Sequence, residues 1–247
     1  MQISSKTTEG YRLDKNCVLV SNRKWNRAMV ARLTESTGCK FTLLTKPEEL
    51  TFDTLEKLNP RFVFLPHWSH RIPENIFNNF ECVIFHMTDL PYGRGGSPLQ
   101  NLISRGIYET KITALRCVEE MDAGPVYMKE PFSLYGSAEE IYLRASKMVE
   151  SMIVDMLDKF PEPKEQEGTP TIFKRRKPED SNIGNIESLQ QIFDLIRMLD
   201  ADGYPNAFVD VGPFKLEFTR ASIKTGQVVA DVQITLNEEI SNDKNRK

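Results

Sequence analysis

A histidine at the carboxyl edge of an apolar run, a glycine-rich turn just after it, and an aspartate 36 residues further on (122 − 86 = 36) are the groups best suited to chemistry in this 247-residue chain. The chain has three histidines, His67, His70 and His86, so imidazole chemistry has few candidates. An imidazole titrates near neutrality and is suited to proton transfer. His86 closes Cys82-Val83-Ile84-Phe85, which reads as a parallel strand, at the sheet edge where open α/β folds bind ligands. Asp122 stands in Met121-Asp122-Ala123-Gly124-Pro125. Taken singly, His86 is better read as a satisfied histidine capping a strand, and Asp122 as a turn aspartate before Gly124. Gly93-Arg94-Gly95-Gly96 permits backbone conformations closed to other residues and lets a ligand approach the main chain; a plain turn explains it as well. No G-x-G-x-x-G follows the first strand, where Ser21-Asn22-Arg23 stands, and there is no Walker loop.

The elements that must hold these groups are short apolar runs alternating with helical patterns. Cys17–Val20, Phe41–Leu44, Arg61–Leu65 and Cys82–Phe85 read as buried strands. Helical segments between them run from the end of the first strand to Ser36, over Thr51–Leu58 and over Glu74–Phe80. That alternation predicts an α/β fold, an open, mostly parallel twisted sheet with helices on both faces. A helix is expected between Pro98 and Gly106, with strands over Thr110–Cys117 and Pro125–Phe132. Ile141, Ala145, Met148, Val149, Met152, Ile153, Met156 and Leu157 recur three and four apart and mark a long helix over Ser137–Phe160; packing explains its methionines. The predicted organisation is a polar N-terminus over 1–16, a catalytic domain over 17–160, a Pro- and Glu-rich linker over 161–181, a small β-rich C-terminal appendage over 182–236, and a charged tail over 237–247. Within the appendage a helix near Glu187–Leu199 and strands over Ala207–Val211, Lys215–Ser222 and Val228–Leu236 are expected.

Composition narrows the function. Thirty-two basic against 35 acidic residues give a net charge of −3, without the basic excess of a protein that wraps nucleic acid. Four separated cysteines, Cys17, Cys39, Cys82 and Cys117, match neither a zinc knuckle nor a disulfide framework; buried thiols in a reducing compartment are expected, with no metal site. The first residues lack the apolar core of a signal peptide and no apolar run approaches a membrane span, so a cytoplasmic protein without a membrane partner is expected.

His86 followed by Leu90-Pro91, Arg94-Gly95 and Pro98-Leu99-Gln100, with Asp122 in an Asp-x-Gly setting, resembles the signature of the folate-dependent formyltransferases. The likeness includes the sugar-nucleotide N-formyltransferases and the catalytic domain of methionyl-tRNA formyltransferase. It covers roughly residues 60–180 well. It implies the formyltransferase variant of the Rossmann fold and attack of a primary amine on the formyl carbon of 10-formyltetrahydrofolate. It further implies His86 as the electrophilic and proton-transfer group, with Asp122 as its orienter and base. The family usually has an asparagine two residues before the histidine, donating to the oxyanion; here that position is Ile84. His67 or Ser69, in the loop after the third strand, is expected to take its place; a loop whose Trp68 packs on the core is the alternative. In relatives the stretches matching His70-Arg71-Ile72-Pro73 and Glu119-Glu120-Met121 hold the folate ring largely through main-chain groups.

Arg94, Gly95, Gly96 and Ser97, with Lys174, Arg175 and Arg176, are assigned to the acceptor. The basic run Lys174–Lys177 suits a diphosphate, or is simply a solvated face. Trp25 either stacks on a base or packs under the first helix. The short tail and acidic balance favour a nucleotide-linked amino sugar, for bacterial surface or flagellar glycans, with no nucleic-acid partner; a homodimer is compatible with this. The alternatives are a methionyl-tRNA formyltransferase-like activity, a hydrolase of formyltetrahydrofolate, and a non-catalytic folate- or sugar-nucleotide-binding module that would account for Ile84.

Overall fold

The structure is a computed structural model and describes residues 16–237. Of the expected terminal segments, 1–15 and 238–247 lie outside the described residues. Asn16 opens the first strand, and the Asn237 amide donates to the Pro213 carbonyl.

In chain order the elements are β1 (Asn16–Val20), α1 (Met29–Thr37), β2 (Lys40–Leu44), α2 (Phe52–Leu58), β3 (Phe62–Pro66), α3 (Glu74–Phe77), β4 (Cys82–His86), β5 (Tyr92–Gly95), α4 (Pro98–Ile103), β6 (Glu109–Arg116), β7 (Val126–Ser133), α5 (Ala138–Lys159), β8 (Thr171–Phe173), α6 (Leu189–Arg197), β9 (Ala207–Val211), β10 (Phe214–Lys224) and β11 (Gln227–Leu236). Contacts divide them into two compact units. One comprises residues up to His86 with Ile112–Glu130 and Ser146–Gly168; the other comprises Met87–Lys111, Pro131–Ala145 and the chain from Thr169 onward.

The first unit is built on a six-stranded sheet of order β2-β1-β3-β4-β6-β7. β1 to β4 are parallel, as the alternation of apolar runs and helices predicts, and β6 runs antiparallel to β4. The register sets one face of the sheet: Val18 lies beside Val63, Val63 beside Cys82, and Leu65 beside Ile84. That face packs with Leu55 of α2 and Ile76 of α3 into one apolar cluster, against which Ile84 also sits. Alternation along β4 then carries His86 onto the same face. The opposite face holds Phe41, Phe62 and Phe64, whose rings stack. The α5 stripe is buried at Ile141, Ala145, Val149, Met152, Ile153 and Met156, as its periodicity requires. Ser146 of α5 donates to Asn26 Oδ1 at 2.6 Å, and Asn26 in turn donates to Ser21 Oγ at 2.8 Å, satisfying three buried polar groups together.

All four cysteines are free thiols, with Cys17, Cys82 and Cys117 buried. Burial pushes the Cys17 thiol up to about 12 and the Cys117 thiol up to about 11, so both are packing groups rather than nucleophiles.

In the second unit β9, β10 and β11 form an antiparallel sheet of order β11-β10-β9, and β5 pairs in parallel with β8. The stretch 161–181 is more structured than its composition suggests. Lys164 bridges Val126, and Thr171–Phe173 is strand β8. Among the described residues no helix is long and apolar enough to cross a membrane.

Candidate active site

β4 presents His86 as its last residue. His86 is 8% exposed, and its Nδ1 lies 3.5 Å from Asp122 Oδ2. That separation is an ion-pair contact when the ring is protonated and longer than an ordinary hydrogen bond; such contacts tighten when substrate closes a site. The two groups whose spacing drew attention in the sequence therefore converge within the first unit.

Asp122 reaches His86 through the loop that follows β6. Because β6 is antiparallel to β4, Arg116 at its end faces Val83, and the Cys117 amide donates to the Cys82 carbonyl at 2.8 Å. The chain must then fold back along the sheet face to meet the carboxyl end of β4. Asp122 does so in the left-handed region at φ 54, a costly conformation for a residue with a side chain. Gln166 holds the turn, its Nε2 donating to the Asp122 carbonyl at 2.8 Å and the Gly124 carbonyl at 2.9 Å. A Cβ at Gly124 would collide with the Arg116 carbonyl oxygen, so this position requires glycine. Gly124→Ala is expected to lower stability by about 1–3 kcal/mol, since backbone rather than a flexible side chain must give way; urea unfolding measures it, and an unchanged midpoint would show the turn to be slack.

His67 follows β3, whose Pro66 lies beside Phe85 of β4. Its backbone is left-handed at φ 54, and its ring meets Trp25 edge-on at 6.4 Å between centroids. The Arg23 guanidinium lies 5.6 Å from the Trp25 ring centre. Burial, aided by the Arg23 charge, pushes the His67 imidazole down to about 4 from an ordinary 6.5, so the ring is neutral at physiological pH. Between these two values the unfolded chain binds a proton that the folded chain refuses. Stability contributed by neutral His67 is therefore lost as pH falls from about 6.5 towards 4. Urea midpoints for wild type and His67→Gln are expected to converge as pH is lowered through that window; parallel slopes would contradict the assignment. Trp68 packs against the apolar cluster, with its ring centre 4.9 Å from that of His70. Trp25 packs locally in a short 3-10 turn over Lys24–Asn26.

Of the residues expected at the folate ring, Ile72 is buried, while His70, Arg71, Pro73, Glu119, Glu120 and Met121 are exposed. A cavity of about 270 Å³ lies between α3, which follows Pro73 directly, and the loop after β6, lined by Glu74, Phe77, Asn78, Arg116, Cys117, Val118 and Glu119. Arg116 is fixed there by Glu81, which accepts its Nε at 2.8 Å and also accepts from Tyr127.

The expected acceptor residues fall in the second unit, where their glycines have a structural cause. A Cβ at Gly95 would strike the Phe173 carbonyl oxygen, and one at Gly96 would lie 2.6 Å from Arg175 Cβ. These glycines admit β8 and the residues after it. The Arg176 amide donates to Ser97 Oγ at 3.1 Å, and Asn101 Nδ2 donates to the Lys174 carbonyl at 2.9 Å. Arg176 is half-buried, burial holds its guanidinium below its ordinary value, and it donates to the Asp180 carbonyl. Lys174 and Arg175 remain exposed. Gln100 is also structural: buried, it donates to Tyr142 Oη and to the Met198 carbonyl, both at 3.2 Å. Sequence reasoning placed Asp122 in an Asp-x-Gly setting with Gly124 but missed Gln166, which holds the turn from 44 residues further along the chain, at no recognisable spacing.

A parallel sheet with an imidazole and a carboxylate converging at its carboxyl edge is the arrangement of the formyltransferases, and the chain belongs to that family. The methionyl-tRNA formyltransferase from Clostridium thermocellum is 48% identical in sequence, with a TM-score of 0.87; the match covers 90% of this chain and 99% of that one. The family model of the methionyl-tRNA formyltransferase C-terminal domain matches residues 178–235. The methionyl-tRNA formyltransferase of Thermodesulfovibrio yellowstonii is 28% identical over 166 residues, which is 62% of this chain and 54% of that protein. The chain spans about half the length of the curated relatives it matches. A sugar N-formyltransferase from Shewanella shares the fold at a TM-score of 0.63 but only 15% identity, over 90% of this chain and 98% of that one.

These similarities overturn the expectation of a nucleotide-linked amino sugar, and with it the argument against a nucleic-acid partner. The short tail carries no weight, because a chain named methionyl-tRNA formyltransferase is covered almost end to end. Net charge misleads because it sums the whole surface, whereas phosphate contacts need only a local group of cations.

Proposed function

We propose that the protein transfers the formyl group of 10-formyltetrahydrofolate to the α-amine of methionyl-tRNA. The observation that carries this reading is the 3.5 Å contact between His86 Nδ1 and Asp122 Oδ2 in a nearly buried setting; the 48% identical relative of that name supports the acceptor. The cavity between α3 and the loop after β6 borders both segments that the family resemblance assigns to the folate ring.

In this reading His86 hydrogen-bonds the oxyanion formed when the amine attacks the formyl carbon, and passes a proton to the departing folate nitrogen. Asp122 orients the ring, stabilises its protonated form and helps take the amine's proton. Ile84 packs with the apolar cluster and cannot donate, and loss of one oxyanion donor typically costs about 3 kcal/mol in transition-state stabilisation. We assign the replacement donor to His67, whose neutral ring still carries one N–H. His67→Ala is then expected to lower kcat with KM for folate little changed; an unaltered kcat would remove His67 from this role. Lys174 and Arg175, exposed after β8, are assigned to the phosphodiester backbone, which makes affinity fall with salt.

The deciding assay supplies 10-formyltetrahydrofolate with methionyl-tRNA, with uncharged tRNA, and alone, following both tetrahydrofolate release and formyl-methionine. Formyl-methionine formed only with the charged tRNA is the expected result. Release without any amine would instead define a hydrolase, and binding without release a non-catalytic module.

A further inference from the structure

The loop that delivers Asp122 leaves β6 at Arg116 and is back in the sheet at Tyr127 of β7, eleven residues later (127 − 116 = 11). Both stem residues send their side chains to one oxygen. Glu81 Oε1 accepts Arg116 Nε at 2.8 Å and Arg116 Nη2 at 2.5 Å, and it accepts the Tyr127 hydroxyl as well. Glu81 stands directly before β4, the strand that ends at His86, and its carbonyl accepts the Val63 amide at 2.9 Å. One carboxylate therefore joins both ends of the aspartate's loop to the start of the histidine's strand.

The backbone follows the same course. The Arg116 amide donates to the Pro125 carbonyl at 2.9 Å, the Cys117 amide to the Cys82 carbonyl at 2.8 Å, and the Ala123 amide to the Glu120 carbonyl at 3.2 Å. Gln166 fixes the turn at Asp122 itself, and the stems fix where that turn lies along β4. Stability alone does not account for the cluster. The Arg116 and Glu81 side chains are 41% and 20% exposed, and an ion pair open to water adds little to folding. What such charge-assisted bonds do supply is geometric specificity. Tyr127 is buried, so its hydroxyl is committed to the carboxylate. Position matters here because displacing a catalytic group by about 1 Å can cost on the order of 10²-fold in rate.

We propose that Glu81 is a positioning residue for Asp122: by drawing Arg116 and Tyr127 to one oxygen, it holds the loop where the aspartate meets His86. This rests on the reading of His86 and Asp122 as the catalytic pair. Steady-state formyl transfer to methionyl-tRNA tests it, with circular dichroism reporting that each variant is folded. Glu81→Ala is expected to lower kcat by about tenfold to 10²-fold, and Tyr127→Phe by less, since Arg116 stays bound. Glu81→Gln, whose amide oxygen still accepts, is expected to restore most of the rate. In an Asp122→Ala background Glu81→Ala is expected to change kcat by less than about twofold, because no carboxylate remains to be misplaced, whereas a merely structural role would slow both backgrounds alike. Hydrogen exchange needs no substrate: the Arg116, Cys117 and Ala123 amides are expected to exchange at least about tenfold faster in Glu81→Ala, while Leu19 in β1 keeps its wild-type rate.

An unchanged kcat in Glu81→Ala, equal losses in the two backgrounds, a Glu81→Gln as slow as Glu81→Ala, or loop amides exchanging at the wild-type rate would each overturn the proposal. A His86→Ala enzyme that keeps its activity while the loop amides of Glu81→Ala still loosen would place the failure in the catalytic reading and not in the clamp.

Discussion

Replacing His86 with alanine is expected to reduce formyl transfer by about 10²- to 10⁴-fold in kcat, the range typical of a lost acid–base group, with little change in KM for 10-formyltetrahydrofolate. Both proposed tasks of the ring, meeting the oxyanion and moving the proton, exist only as the transition state forms, so its loss falls on kcat. His86 is the terminal residue of β4 and its side chain meets Asp122, so truncation leaves the apolar cluster under the sheet intact and the variant should melt close to wild type. Asp122→Asn should lower kcat as well, but by less than His86→Ala, because the asparagine still orients the ring while losing the charge that favours its protonated form. The double variant should be no worse than His86→Ala alone, since groups acting as a unit are not additive. Steady-state kinetics on the purified chain with methionyl-tRNA measure all three. A His86→Ala enzyme within a few fold of wild type would remove the imidazole from the chemistry.

The largest expected effect on stability lies in the second unit, at Asp194. Its carboxylate accepts Arg197 Nε at 2.7 Å on one oxygen; on the other it accepts the Tyr108 hydroxyl at 2.6 Å and Gln190 Nε2 at 3.0 Å. Arg197 also donates to the Leu134 and Gly136 carbonyls at 2.7 and 2.9 Å. Asp194 and Arg197 are 6% and 4% exposed, so neither can turn to water when its partner is removed. The hydrogen bond to Asp194 is also the main reason the Tyr108 hydroxyl is held above its ordinary pKa. Asp194→Ala is expected to cost about 3–5 kcal/mol, chiefly the cost of a buried guanidinium left uncompensated. Replacing both partners, as Asp194→Leu with Arg197→Met, should cost far less, since the desolvation of two charges vanishes together with their attraction. Urea unfolding of the three variants measures the difference. A single substitution as mild as the double would mean that the pair is hydrated.

Much of the scaffold was legible in the chain. Cys17–Val20, Phe41–Leu44 and Cys82–Phe85 could be read as parallel strands because a strand buried on both faces must be a continuous apolar run. The stripe of Ile141 to Met156 declared its helix because only one periodicity places those side chains on one side. The convergence of His86 and Asp122 was legible only through the resemblance of the whole motif, since each residue alone has a structural explanation. The Gly-Arg-Gly-Gly turn was half read. Its glycines signal a close approach, but what approaches is the protein's own β8, and a sequence does not say which backbone will come near. Net charge argued against a nucleic-acid acceptor, but it records how many charges there are and not where they lie.

What the sequence alone determined is therefore whatever depends on neighbours along the chain: the alternation of strands and helices, the imidazole at a strand's end, the aspartate in a tight turn. The tertiary structure decided the rest. It set β6 antiparallel to β4, so that the loop after it must fold back to bring a carboxylate to 3.5 Å from the ring. It also buried His67 beside Arg23 and Trp25 and left Ile84 among apolar groups. The physical reason is the same in each case: local propensity reads a few residues at a time, while burial, register and electrostatic environment are set by groups that meet only when distant segments pack.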